Sequence, residues 1–282
     1  MIYLFLTIIF SSTFILIFRW VQGRDEDLTT VGAISYIASA LFAALLFFFS
    51  DFQTYSVTAT LLGAINGIFY FLGYLLLIPI LFWKGVALTA VASRLAMLMP
   101  IIFGILFWGE RPSFWQTLGI GFGTFSLLLI GLKKTSMRGS DAPTRIILLM
   151  LMFFLVVGTS RTAQEAFKYY GNPEEAAFYV LSAFSIASFA SIFILCTRKR
   201  RPTFSEIIIG AVVGIPNSLQ TFYLLKALEQ FPGFIVFPII SAGGLLFTTS
   251  IAVFLFKEPL SKRSALGIAI AILAMALLNI DH

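Results

Sequence analysis

Charge is scarce in this chain: only 11% of its 282 residues are Asp, Glu, Lys or Arg, where a soluble domain carries about 25%. Cysteine occurs once, as Cys196, which excludes an internal disulfide framework and any cysteine-based metal site. Histidine also occurs once, as His282, which argues against histidine catalysis or metal ligation. No P-loop is present, so ATP hydrolysed by this chain is not its energy source, and no cofactor or metal is expected. What abounds is apolar. Hydrophobic residues make up 59% of the chain, with 32 Phe and 21 Gly, and the mean hydropathy is +0.98. Such a composition suits lipid-facing surface and close helix packing, and it predicts an all-α polytopic membrane protein in the lipid bilayer. The net charge of +6 does not imply nucleic acid, because the positive residues sit in short loops between apolar runs, where they orient a membrane protein.

Ten apolar runs follow one another, near residues 2–21, 30–50, 57–82, 85–108, 113–132, 146–168, 176–196, 206–229, 233–256 and 261–280. Each is long enough to cross a hydrocarbon core of about 30 Å. The first opens directly at Met1 with no basic n-region and no clear cleavage site, so it reads as a retained span. Residues 133–145, KKTSMRGSDAPTR, form the longest polar linker.

The chain is written twice. Ser93 returns as Ser241, Glu110 as Glu258, Ser113 as Ser261 and Gly119 as Gly267, each 148 residues later. Ser12 pairs with Ser160 and Gly23 with Gly171 at the same offset, and Gly63 with Gly210 one residue short of it. A shared offset over the whole length marks a duplication. It divides the chain into a first five-helix repeat at 1–132, a linker at 133–145 and a second five-helix repeat at 146–282. Five spans per repeat is an odd number, so the two repeats enter the membrane with opposite orientation, as in many secondary transporters. The loops after spans one, three, five, seven and nine, with their flanks, hold fourteen Lys and Arg, against Arg111 and Lys168 on the other side. By the positive-inside rule both termini are expected outside.

The segment PIIFGILFWGERPSFWQTLGIGFGTFSLLLIG and its partner FLFKEPLSKRSALGIAIAILAMALL resemble the repeated signature of the drug/metabolite transporter superfamily, EamA-type. In that signature a span with a mid-helix Pro, here Pro100, ends in Gly-Glu or Lys-Glu and a Gly-rich span follows. The resemblance covers both repeats. It implies ten helices around a central cavity, with spans one, three, four, six, eight and nine lining the path and five and ten peripheral. It also implies transport of small organic solutes and a cell-membrane location, such as a bacterial inner membrane. Two departures stand out. Thr248 lies where the first repeat has Pro100, and many members have both termini in the cytoplasm, against the charges here.

Polar side chains at membrane depth are costly and tend to face a cavity. Asn66, Tyr70 and Tyr74 recur on one face of span three, and Asn217, Gln220 and Tyr223 on one face of span eight. Ser93 and Arg94 lie in span four, Ser160, Arg161, Gln164 and Glu165 in span six, and Ser241 in span nine. Residues 265–278 of span ten carry no polar side chain. Ser11, Ser12 and Thr13 can instead bond their own backbone. Ser182, Ser185 and Ser188 read as a packing face, Lys226 and Glu229 as interface residues, and Glu110 and Glu258 as structural or gating groups. Arg161 and Glu165 are spaced to pair.

Arg94 keeps its charge at any ordinary pH, and no acid lies within a turn of it. It is therefore expected to face water, a distant acid such as Glu165, or a ligand anion, with Arg161 as the second cation. The reading is a secondary transporter of a small metabolite with an anionic group, amino-acid-like or an organic acid, acting by alternating access as a monomer or homodimer. The rival is a membrane-embedded lipid-modifying enzyme. The acid clusters or His/Ser pairs that such an enzyme uses are missing.

Overall fold

A computed structural model describes residues 1–21, 26–50, 55–131, 143–198, 200–256 and 262–280, with side chains for all of these except 14, 15, 18, 19, 81–91, 130, 131, 143–147, 252–256 and 262–264. Glu258, His282, Gly23 and most of the 133–145 linker lie outside the described residues. The described chain is helical throughout. Its helices are α1 (Ile2–Val21), α2 (Leu28–Phe48), α3 (Val57–Leu95), α4 (Leu98–Phe107), α5 (Phe114–Gly131), α6 (Pro143–Tyr170), α7 (Ala176–Thr197), α8 (Phe204–Gln230), α9 (Gly233–Phe256) and α10 (Lys262–Leu278).

Local chemistry starts these helices. Asp27 caps α2 through the backbone N–H of Thr30 (3.1 Å), and Ser56 caps α3 through that of Ala59 (3.1 Å). Thr203 and Glu206 form a reciprocal capping box at α8, and Ser113 and Gln116 exchange hydrogen bonds in the same way at α5, each satisfying N–H groups that the first turn leaves unpaired. At the end of α4, Gly109 takes a φ of 69°. Glycine reaches this left-handed conformation without steric cost. It lets the Glu110 N–H return to the Gly104 carbonyl (3.0 Å).

The break expected between spans three and four is displaced. The structure runs α3 unbroken for 39 residues, about 58 Å at 1.5 Å per residue, and ends it at Leu95. Residues 80–95 contain one glycine and no proline, so nothing in the backbone forces a break at Trp83–Lys84. Arg94 therefore sits in the last turn of α3, at the junction with the ten-residue α4, and not midway along a fourth span.

The two repeats pack by exchange. Helix α1 lies on α8 and α9, as its counterpart α6 lies on α3 and α4. Helix α2 lies on α7 and α8, as α7 lies on α2 and α3, and α5 pairs with α10. The counterparts run antiparallel: Asp27 at the start of α2 meets Arg198 at the end of α7, and Gly119 near the start of α5 meets Leu278 at the end of α10. That arrangement is an inverted repeat. Glycine pairs make the crossings close. A Cβ on Gly63 would stand 2.8 Å from Ser182 and from the Tyr179 carbonyl, and one on Gly214 would stand 2.6 Å from Ala38 and the Ser35 carbonyl. Gly63 with Gly67 and Gly210 with Gly214 are the same small-xxx-small motif in each repeat.

The outer surface is apolar, with Leu41, Phe48, Leu61, Leu106, Phe189 and Phe193 exposed. Among the described residues, five helices are long and apolar enough to span a membrane.

Candidate functional site

Between α3, α6 and α8 the structure joins polar side chains from both repeats. Gln164 Nε2 donates to the Tyr70 hydroxyl (2.6 Å), which bonds Thr221 Oγ1 (2.8 Å), and Thr221 donates to the Asn217 carbonyl (3.1 Å). Because Thr221 spends its proton on that carbonyl, Tyr70 is the donor to Thr221, and the chain runs in one direction. The Ser160 hydroxyl donates to Asn66 Oδ1 (2.6 Å). Asn66 Nδ2 and the Tyr179 hydroxyl are buried with no partner among the described residues. Gln220 bonds Asn217 (2.7 Å), and Asn217 reaches Ser39 of α2 (3.5 Å).

The two arginines lie beside this network. Arg94 is buried, and its Nη1 donates to the Ser241 carbonyl of α9. Gly244 leaves the room for its guanidinium, since a Cβ there would lie 2.9 Å from Nη1. On α1, the Ser12 hydroxyl reaches the Gly244 carbonyl (3.5 Å), whereas Ser11 and Thr13 bond their own helix. Arg161 is half-buried and forms no hydrogen bond or ion pair among the described residues. Neither the Arg94–Glu165 pair nor the Arg161–Glu165 pair allowed by spacing is formed.

Not every expected residue joins this group. The Tyr74 hydroxyl donates to the Leu28 and Thr29 carbonyls at the start of α2, and its ring packs edge-on against Tyr36 (5.6 Å). Tyr223 stacks between Tyr3 (6.1 Å) and Phe10 (5.8 Å) of α1. Ser93 is half-buried next to Arg94, and Ser241 is buried, meeting Arg94 through its backbone carbonyl. Thr221, one turn beyond Asn217 on the same face of α8, was legible from spacing and is a contributor that the polar pattern of span eight omitted.

Glu110 ties three elements together. Its Oε1 accepts from Tyr169 (2.6 Å), Lys168 (3.4 Å) and the Gly233 N–H (3.0 Å), and its Oε2 from the Phe234 N–H (3.4 Å). The last two are free donors at the first turn of α9, where the helix dipole favours a carboxylate. Trp108 stacks on Tyr169 (4.8 Å) and caps the arrangement. The Glu165 carboxyl is fully buried against Gly233, and neither oxygen makes a hydrogen bond of good geometry among the described residues; the adjacent Gly233 N–H is directed to Glu110 (3.0 Å). Lys226 and Glu229 lie on this same face, paired with each other (3.2 Å), so this side holds a third basic residue beyond Arg111 and Lys168.

On the opposite face, Asp27 pairs with Arg198, and Arg200 bridges to Glu206 (2.8 Å). Burial alone would raise the Asp27 carboxyl, but the Thr30 hydroxyl and N–H and the Arg198 charge outweigh it and hold it below the usual value.

Comparison with known proteins agrees with this architecture. A protein of Haemophilus influenzae described only as uncharacterized is 25% identical over 254 residues, covering 86% of this chain and 85% of its own length. A solved crystal structure of another protein, 16% identical, superposes with a TM-score of 0.77 over 99% of this chain and 96% of that one, which is a likeness of fold. The model of the EamA-like transporter family matches residues 1–132 and 144–280, one repeat each. The chain therefore belongs to the EamA-like transporter family and is a membrane transporter.

Proposed function

We propose that the protein moves a small organic solute carrying a carboxylate or phosphate, organic-acid or amino-acid-like, by alternating access between its two inverted repeats. One observation carries this reading: Arg94, buried, and Arg161, half-buried, come from different repeats and have no acidic partner among the described residues. Two such cations are costly unless something anionic answers them. An oxyanion gripped by guanidinium forks would do so, with charge-assisted hydrogen bonds. The Gln164–Tyr70–Thr221 chain and Asn66 Nδ2 offer neutral contacts for the rest of the solute.

The test is uptake into liposomes of purified protein over a panel of amino acids, organic acids and phosphate esters. A bond to a charged group is worth about 1.5–3 kcal/mol, so Arg94→Gln and Arg161→Gln should each weaken uptake of anionic solutes roughly ten- to hundredfold while leaving expression and melting temperature near wild type. If Arg94→Gln unfolds the protein and Arg94→Gln with Glu165→Gln restores folding and transport, the arginine answers an acid and the anion reading fails.

A further inference from the structure

Glu165 is unexplained by the anion site. Among the described residues it is the one carboxyl with both oxygens buried and unpartnered. It lies one turn beyond Arg161 on α6 and packs against Gly233, the first residue of α9. The two N–H groups there that would satisfy a carboxylate, those of Gly233 and Phe234, are held by Glu110. Two carboxyls thus converge on one helix end that has donors for only one of them. The remaining titratable groups around Glu165 are Lys168 and Tyr169, both already on Glu110. The elements packed on α6 otherwise bring Tyr70 and Arg94 from α3 and Tyr223 and the Lys226–Glu229 pair from α8. Helix α9 brings none among its described side chains.

We propose that Glu165 is a proton-binding site coupled to the Glu110 latch. With a proton on Glu165, its neutral carboxyl tolerates burial against Gly233, and Glu110 keeps α4, α6 and α9 tied at this face, as observed. When Glu165 gives its proton to water, an uncompensated buried carboxylate stands beside a second one. It must leave, which frees the end of α6 from α9, or take the Gly233 N–H from Glu110, which frees the end of α4 from α9; either outcome undoes the tie of α4, α6 and α9 and opens this face. Proton binding and gate closure then share one equilibrium, and a proton gradient can bias the exchange of states.

The inference uses the transport role of the family and not the anion reading, and its test needs no solute. Spin labels are placed at the exposed positions Arg111→Cys and Glu174→Cys in a Cys196→Ser background, in lipid nanodiscs, and their separation is measured by pulsed electron resonance from acidic to alkaline buffer. The expected result is a shift toward longer separations as pH rises, and loss of that shift in Glu165→Gln, which stays in the short, latched distribution. A pH-independent separation in the parent, or a surviving shift in Glu165→Gln, overturns the proposal. Should Glu165→Gln fail to fold, infrared spectra of the otherwise wild-type protein with isotope-labelled glutamate decide. A protonated glutamate band at neutral pH that disappears on alkalinisation supports the proposal, and its absence overturns it.

Discussion

Tyr70 and Tyr74 stand one turn apart on α3, and their hydroxyls bond different helices. Tyr70 is hydrogen-bonded to Thr221 and accepts from Gln164, so Tyr70→Phe strips partners from two buried polar groups. The cost of such orphaning is about 1–3 kcal/mol, and solute affinity should change with it, read as a lower melting temperature and a raised KM. Tyr74 instead bonds carbonyls that already belong to the first turns of α2. Tyr74→Phe should lower the melting temperature by less and leave transport kinetics at wild type. Weakened solute recognition in Tyr74→Phe would return that residue to the solute path. Gly233 acts at the same scale: a methyl there has no room beside the Glu165 carboxyl.

Pairs of helices depend on glycines at repeated places. Gly67 approaches the Ala183 carbonyl of α7, and Gly214 the Ser35 carbonyl of α2. Neither partner is a flexible side chain, so the backbone itself must move if a side chain is added. Gly67→Ala and Gly214→Ala should each destabilise by about 1–3 kcal/mol, the usual cost of overpacking, measured by denaturation in detergent, and larger residues should prevent folding. Gly121, with nothing near its added Cβ, is the control and should accept alanine. Asp27 links α2 to α7 and α8 by charge. Its carboxyl is held below the usual 3.8, so its contribution is fully present above that value and is lost as pH falls through the lower folded value. The melting-temperature advantage of wild type over Asp27→Asn should therefore be flat at neutral pH and shrink below about pH 4. An advantage that persists in strong acid would show that the carboxylate charge is not what joins these helices.

At the scale of the molecule, the loop carrying Arg198, Arg200 and Arg201 shares a face with the start of α2, and Glu110, Lys168 and the start of α9 share the other. The excess of basic residues on the first face predicts that it is cytoplasmic. Cysteine labelling of intact cells should find residues 133–145 and 198–201 protected, and His282 accessible from outside. Labelling of His282 only from the cytoplasm would invert the arrangement.

The fold was legible because its causes are local or repetitive. Apolar length marks a span, and the 148-residue offset marks a duplication whose odd helix number demands inversion. That Asn66, Tyr70, Gln164 and Asn217 form a buried polar group was legible for a similar reason, since burying a polar group in a greasy helix needs a partner. What followed from packing alone was which partner each group takes. A three-residue spacing on α8 does not reveal that Tyr223 goes to the aromatic rings of α1, nor a four-residue spacing on α3 that Tyr74 goes to α2. The pattern within span six placed Glu165 one turn from Arg161 and made them an ion pair. The fold forms no such pair and seats Glu165 against Gly233 of α9, because helix rotation about its own axis is set by neighbouring helices. Glu110 was readable as a repeated acid at a helix end. That its oxygens occupy the free N–H groups of α9, leaving Glu165 without a donor, depends on two helix ends over a hundred residues apart in sequence meeting in space, which only tertiary packing brings about.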